Sequence, residues 1–263
     1  MYNFDYVKPG SVADAVAALG EEDAQALSGG QTLLPTLKQR LGMPSALVDL
    51  GGIAELKGIE VAPGTVTILG GTTHAAVEHS AEVAQAFPAL AALAGRIGDP
   101  QVRNRGTIGG SVANNDPSAC YPAACLGTGA TILTSAGEIA ADDFFTGMFD
   151  TSLGEGQIVT GVRFPVPERA DYQKFVQPAS RFALVGVFVA KYADRVRVAV
   201  TGASESGVFR WSEAEAALSA NFSPDAVPAA PGPEGMIGDI HGSPDYRAHL
   251  IAVMTKRAVA AAA

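Results

Sequence analysis

The chain is poor in the residues that most catalytic and metal chemistry requires. It carries two cysteines, Cys120 and Cys125, among 263 residues. An iron–sulfur cluster takes four thiolates as a rule, so this chain does not ligate one alone. A disulfide between the two and a pair of buried free thiols both stay open, the thiols being favoured in a reducing compartment. Four histidines, His74, His79, His241 and His249, show no metal-ligand spacing. His74 and His79 have a spacing that lets them share a helix face, but exposed or capping histidines are the commoner outcome. Positive charge is scarce too: 18 Lys and Arg stand against 27 Asp and Glu, a net charge of −9. That sign argues against a nucleic-acid surface, and with no like-charged tail it reads as solubility. No apolar run reaches the ~18 residues of a membrane helix. The opening Met1-Tyr2-Asn3-Phe4-Asp5 is neither basic nor followed by an apolar stretch, so no signal peptide is expected. These absences point to a cytoplasmic protein without a membrane span. No Ser/His/Asp or Cys/His constellation emerges, and an organic cofactor is what remains.

Glycine is present in quantity, 30 residues, and two loops of it stand between strand-like and helix-like runs. The first is Leu27-Ser28-Gly29-Gly30-Gln31-Thr32 and the second Gly106-Thr107-Ile108-Gly109-Gly110-Ser111. Paired glycines allow positive φ and close approach of backbone amides to a ligand. Neighbouring hydroxyls and a following helix N-terminus add to the attraction for a diphosphate. Neither loop fits G-x-G-x-x-G or ends in G-K-[ST], which disfavours a Rossmann or P-loop site. Two such loops suggest one extended ligand gripped at two points.

Patterning along the chain predicts α+β architecture. Residues 11–20 read as a helix capped by Ser11, 24–27 as a strand, 33–41 as a helix and 46–50 as a strand. Residues 61–70 read as a hairpin turned at Pro63-Gly64. Residues 72–93 read as helical with a break near Phe87-Pro88, 119–126 as a helix and 130–134 as a strand. After residues 158–164, Pro165-Val166-Pro167 marks the expected boundary between units 1–167 and 168–263. Beyond it come strand-like runs at 182–192 and 196–201, a helix near 211–218, a Pro/Gly-rich connection and a last helix from Asp245. Helices and strands do not alternate regularly, which speaks against a doubly wound sheet.

The full wording of the loops resembles the FAD-binding medium subunits of molybdenum hydroxylases, the carbon monoxide dehydrogenase and xanthine dehydrogenase family. Leu27 to Pro35 is similar to that family's first FAD loop. The stretch Ile97-Gly98-Asp99-Pro100-Gln101-Val102-Arg103-Asn104-Arg105-Gly106-Thr107-Ile108-Gly109-Gly110-Ser111 is similar to its second. Further similarity lies in Leu47-Val48-Asp49-Leu50, Gly71-Thr72-Thr73-His74, Asp143-Phe144-Phe145-Thr146-Gly147, Tyr172-Gln173-Lys174-Phe175 and Tyr246-Arg247 with Lys256-Arg257-Ala258. The resemblance implies a two-subdomain α+β FAD-binding domain of the vanillyl-alcohol-oxidase (PCMH) type, followed by a small C-terminal α+β domain with an antiparallel sheet. It implies that Leu27, Ser28, Gly29, Gly30, Gln31 and Thr32 wrap the FAD diphosphate. Thr107, Gly109, Gly110 and Ser111 would hold its other side and the ribityl chain. Ile97, Gly98, Asp116 and Lys174 would complete the site, Lys174 as a cation near the flavin ring. Arg96, Arg103 and Arg105 form a basic cluster that fits phosphate, a partner or solvent equally.

The resemblance further implies an electron-transfer subunit in which no side chain is catalytic. Molybdopterin would sit on a large partner and 2Fe–2S clusters on a small one, in a dimer of heterotrimers. One departure stands out. Asp116-Pro117-Ser118-Ala119-Cys120 ends in a thiol where the family pattern usually has a second carboxylate, and a thiol is the poorer hydrogen-bond acceptor. A stand-alone flavin reductase or oxidase of the same superfold, and an FAD-free scaffold, are the rival readings.

Overall fold

The computed structural model describes residues 1–262. A small parallel sheet opens the chain, formed by β1 (Asp5–Val7), β2 (Gln25–Leu27) and β3 (Ala46–Asp49) in the order β1-β3-β2. Two crossovers join these strands, carrying α1 (Val12–Leu19) and α2 (Leu33–Lys38). The Ser11 hydroxyl caps α1 by accepting from the Asp14 amide at 3.1 Å. Ala15, Leu19, Val48, Leu50 and Ile53 are buried together beneath this sheet. Helix α2 ends at Lys38 rather than Leu41, because the chain turns through a left-handed Arg40 at φ 59°.

A five-stranded antiparallel sheet follows. Its hairpin β4 (Ile59–Ala62) and β5 (Thr65–Leu69) turns at Pro63-Gly64 as its sequence predicts. The helical stretch 72–93 is three helices, α3 (His74–Glu78), α4 (Ala81–Ala86) and α5 (Pro88–Gly95). The second break arises at Ser80, whose hydroxyl accepts from the Val83 amide at 3.2 Å and starts α4 anew. Next come α6 (Pro100–Arg103), α7 (Ile108–Asn114) and α8 (Cys120–Thr128). Strands β6 (Thr131–Thr134) and β7 (Gly137–Ala140), the single-turn α9 (Ala141–Phe144) and the short hairpin β8 (Phe145–Gly147) and β9 (Asp150–Thr151) lead to β10 (Val159–Pro165). The sheet order is β4-β5-β10-β6-β7, so β10 closes the sheet between two hairpins.

The last part is a four-stranded antiparallel sheet in sequence order: β11 (Arg169–Val176), β12 (Ala183–Lys191), β13 (Val196–Thr201) and β14 (Phe209–Arg210). Helices α10 (Ser212–Ala220) and α11 (Pro244–Ala262) pack on it. All residues of β12 before Lys191 are buried, as expected of a strand covered on both faces. Helix α8 packs against β12 and β13 and is buried along its whole length, which its all-round apolar sequence permits. Tyr172, Phe188, Ala190 and Ala199 therefore share one core with Phe87, Leu90 and Tyr121 from the preceding helices. Arg197 ties the same elements together. It is 8% exposed, donates from Nε to the Leu126 carbonyl at 2.9 Å and from Nη2 to both Asp142 oxygens at 2.7 and 2.8 Å. Among the described residues, no helix is long and apolar enough to cross a membrane.

Candidate functional site

Strand β2 runs directly into Ser28-Gly29-Gly30-Gln31-Thr32, and α2 begins at the next residue. Gly30 sits at φ +70°, a conformation that side-chain-bearing residues resist. Its carbonyl accepts from the Leu34 amide at 3.1 Å, which folds the loop back over the helix start. Among the described residues, the amides of Gly29, Gly30, Gln31 and Thr32 have no acceptor. Four adjacent unpaired N–H groups form a donor cradle of the kind that anions occupy.

The second loop is built differently. Thr107 caps α7, its hydroxyl accepting from the Gly110 amide at 3.1 Å. The Gly109 amide donates to the Gly70 carbonyl at 2.9 Å, and the Ser111 amide to the Thr107 carbonyl at 3.0 Å. The expectation that this glycine pair would offer free amides is thus not met, because the helix cap and the neighbouring strand end consume them. Gly109 is small for a packing reason: a Cβ there would lie 2.6 Å from the Gly70 carbonyl oxygen. The loop instead presents side chains, and neither the Ser111 hydroxyl nor the Asn114 carboxamide is bonded within the described residues.

The two loops touch. Ser28 Oγ and Thr107 Oγ1 are 2.8 Å apart, and a Cβ on Gly29 would stand 2.2 Å from the Arg105 carbonyl oxygen. Together they wall a cavity of about 800 Å³. It is lined by Ser28, Gly29, Gly30, Gln31 and Thr32 of the first loop and by Thr107, Gly109, Gly110 and Ser111 of the second. Ile97, Gly98, Asp116 and Lys174 line it too, whereas Leu27 does not and packs beside Gly30. Asp116 spends one carboxylate oxygen on the Ser118 amide at 2.8 Å, turning the chain into α8. Arg103 holds the Ile97–Gly98 rim by donating to the Ile97 carbonyl at 3.1 Å, while pairing with Glu78 at 2.6 Å. Arg96 bonds the Tyr172 carbonyl and Arg105 is exposed, so the three arginines do not form one anion site.

His74 is the residue that its sequence context hides most. Rather than exposed, it is 4% exposed and lines the cavity, with Nδ1 buried and lacking a partner. It lies beneath the second loop, where a Cβ on Gly106 would come 2.7 Å from its Nε2, and its ring is 5.4 Å from that of Tyr121. Burial, aided by the nearby Arg103 charge, lowers its pKa to about 4. Cys120 and Cys125 are both free and buried, and burial raises the Cys125 pKa. Among the described residues no group of three or more His, Cys, Asp or Glu is placed to hold a metal.

These features fit a dinucleotide. A cavity of this size, an amide cradle for a diphosphate, free Ser111 and Asn114 groups for hydroxyls and a lysine in its lining suit the parts of FAD. Fold and site define a flavin-dinucleotide-binding protein of the α+β, vanillyl-alcohol-oxidase type. A family model described as the FAD binding domain in molybdopterin dehydrogenase matches residues 2–167. The nicotine 6-hydroxylase medium subunit of Paenarthrobacter nicotinovorans is 34% identical over 97% of this chain and 95% of its own length. The carbon monoxide dehydrogenase medium chain of Hydrogenophaga pseudoflava is 33% identical over 98% and 96%. A chain of the reconstituted CO dehydrogenase from Oligotropha carboxidovorans superposes with a TM-score of 0.89 at 31% identity, covering 99% of this chain and 98% of that one. The chain belongs to the family of FAD-binding domains in molybdopterin dehydrogenases. It is an oxidoreductase flavoprotein, and FAD is its cofactor.

Proposed function

We propose that this chain is the FAD-carrying electron-transfer subunit of a multi-subunit molybdenum hydroxylase. It would take electrons from a small 2Fe–2S subunit, pass them to a final acceptor, and assemble with that subunit and a large molybdopterin subunit as a dimer of heterotrimers. Relatives named as medium subunit or medium chain, matched along nearly their whole length, support the assembly. The carrying observation is the cavity between the two glycine loops, walled on one side by the amide cradle. The two free buried thiols fit a reducing compartment, and we place the complex in the cytoplasm.

When bound, FAD supplies the redox chemistry, exchanging electrons in ones or twos. The chain's own residues orient it. In this reading the amides of Gly29, Gly30, Gln31 and Thr32 donate to the diphosphate. The hydroxyl of Ser111 and the carboxamide of Asn114 offer bonds to the ribityl chain, with Asp116 alongside. Ile97 and Gly98 press on the ring, and Lys174 sets a positive charge near it. His74, held neutral, supports the second loop from below without adding charge to it. Residues 1–167 form the FAD-binding unit and 168–263 a C-terminal unit that contributes Lys174.

The reading is tested by supplying electrons two ways. FAD-loaded chain, given organic substrates alone, turns over none of them; given chemically reduced small 2Fe–2S subunit, it reduces an artificial dye. Substrate turnover without partners overturns it in favour of a self-sufficient flavoenzyme.

A further inference from the structure

The cavity lining carries an arrangement that FAD retention alone does not explain. Tyr172 and Lys174 lie on the same face of β11, two residues apart, and meet the first turn of α8. The Lys174 ammonium donates to the Arg96 carbonyl at 2.8 Å and touches Cys120 Sγ at 3.6 Å. Arg96 reciprocates by donating to the Tyr172 carbonyl, latching α5 to β11. Among the described residues neither cation has a carboxylate within 4 Å. Cys120 is 4% exposed, lines the cavity and is the first residue of α8, which has no side-chain cap. Beside it Tyr172 is buried, 2% exposed, its hydroxyl next to the Cys120 thiol and without an oxygen or nitrogen partner.

We infer that Cys120 is a positioning residue for Lys174, holding its ammonium at the cavity wall without the counter-charge a carboxylate would bring, so that the uncompensated charge favours reduced over oxidised FAD. Two electrons with one proton leave the reduced flavin ring negative, and a nearby cation binds that form more tightly. A thiol is a weak acceptor, enough to seat the ammonium beside the Arg96 carbonyl but not to neutralise it. The inference rests on the FAD reading above.

The test is the two-electron potential of the FAD-loaded full chain, measured against a reference dye, with FAD affinity and thermal melting recorded beside it. Lys174→Met is expected to weaken reduced FAD relative to oxidised FAD roughly tenfold, which is ~1.4 kcal/mol or ~30 mV lower potential. Cys120→Asp is expected to lower it in the same direction by pairing the ammonium, and Cys120→Ser to leave it unchanged. If melting shows that the aspartate variant does not fold, Cys120→Ala decides: without the sulfur that seats the ammonium the potential falls in the direction of Lys174→Met, and an unchanged potential overturns the inference. An unchanged potential in Lys174→Met, or in a folded Cys120→Asp, overturns the inference. Were Lys174 a diphosphate ligand, its loss would weaken both redox forms equally and leave the potential still, which also overturns it. A wild-type chain that takes up no FAD overturns the FAD reading instead, so the two failures are distinguishable.

Discussion

Ser28 and Thr107, 79 positions apart, meet hydroxyl to hydroxyl at 2.8 Å and join the two glycine loops into one wall. Thr107 does two things at once, since the same oxygen caps α7 through the Gly110 amide. Thr107→Val removes both bonds and is expected to cost about 1–2 kcal/mol of stability. Ser28→Ala costs roughly 0.5–1.5 kcal/mol. In the Thr107→Val background, Ser28→Ala adds almost nothing, because the bond it removes is already gone. Urea unfolding of the four proteins checks the cycle.

The glycines divide by the reason for their size. Gly109→Ala drives a Cβ to within 2.6 Å of the Gly70 carbonyl oxygen, and backbone yields poorly. It is expected to lose about 1–3 kcal/mol even without FAD. At Gly30 a Cβ meets only side chains, Leu34 at 2.9 Å and Leu27 at 3.2 Å, but φ is +70°. Gly30→Ala costs about 1–2 kcal/mol for that conformation, keeps the fold, and turns the amide cradle enough to weaken FAD about tenfold or more. Melting without FAD and an FAD titration separate the two outcomes.

His74 gives a pH dependence with a definite sign. Its folded pKa of about 4 lies below the ordinary 6.5, so the native state holds the neutral ring. The unfolded chain takes up the proton first. Stability is full above pH 6.5, falls as the pH drops, and its loss is complete near pH 4. The limit is about 3 kcal/mol. Urea midpoints at pH 7.5 and 5 are expected to differ clearly in the wild type and far less in His74→Phe.

What the sequence discloses of this site is local. Ser11 caps a helix where a hydroxyl precedes a helix-like run, and the turn at Pro63-Gly64 needs no tertiary information. What it hides depends on partners brought from far along the chain. Gly29 reads as a ligand-facing glycine, yet the Arg105 carbonyl fills the space its Cβ would take. Gly109 and Gly110 read as a second cradle, yet Gly70 and Thr107 consume their amides. His74 looks like an ordinary helix-start histidine until Gly106 and Tyr121 close over it. Strand β11 alternates from Arg169 to Gln173 until Lys174 breaks the pattern, and the Lys174–Cys120 contact joins residues 54 positions apart, beyond any local pattern.

Asp142 anchors the buried Arg197 from a partly exposed position. Asp142→Ala strands a guanidinium that keeps only the Leu126 carbonyl, and is expected to cost about 1–3 kcal/mol, short of a fully buried pair. Arg197→Met in the same background recovers part of the loss, since an apolar side chain has no charge to strand. Urea unfolding of the single and double variants checks both signs.

The account stands or falls on the cavity between the loops as the FAD site. Titration of purified, FAD-stripped chain with FAD, followed by calorimetry and the visible spectrum, measures that directly. One FAD per chain, with binding lost in Gly30→Val while its fold persists by circular dichroism, is the predicted result. A chain that stays colourless at saturating FAD, or a Gly30→Val variant that binds FAD as tightly as the wild type, would contradict it.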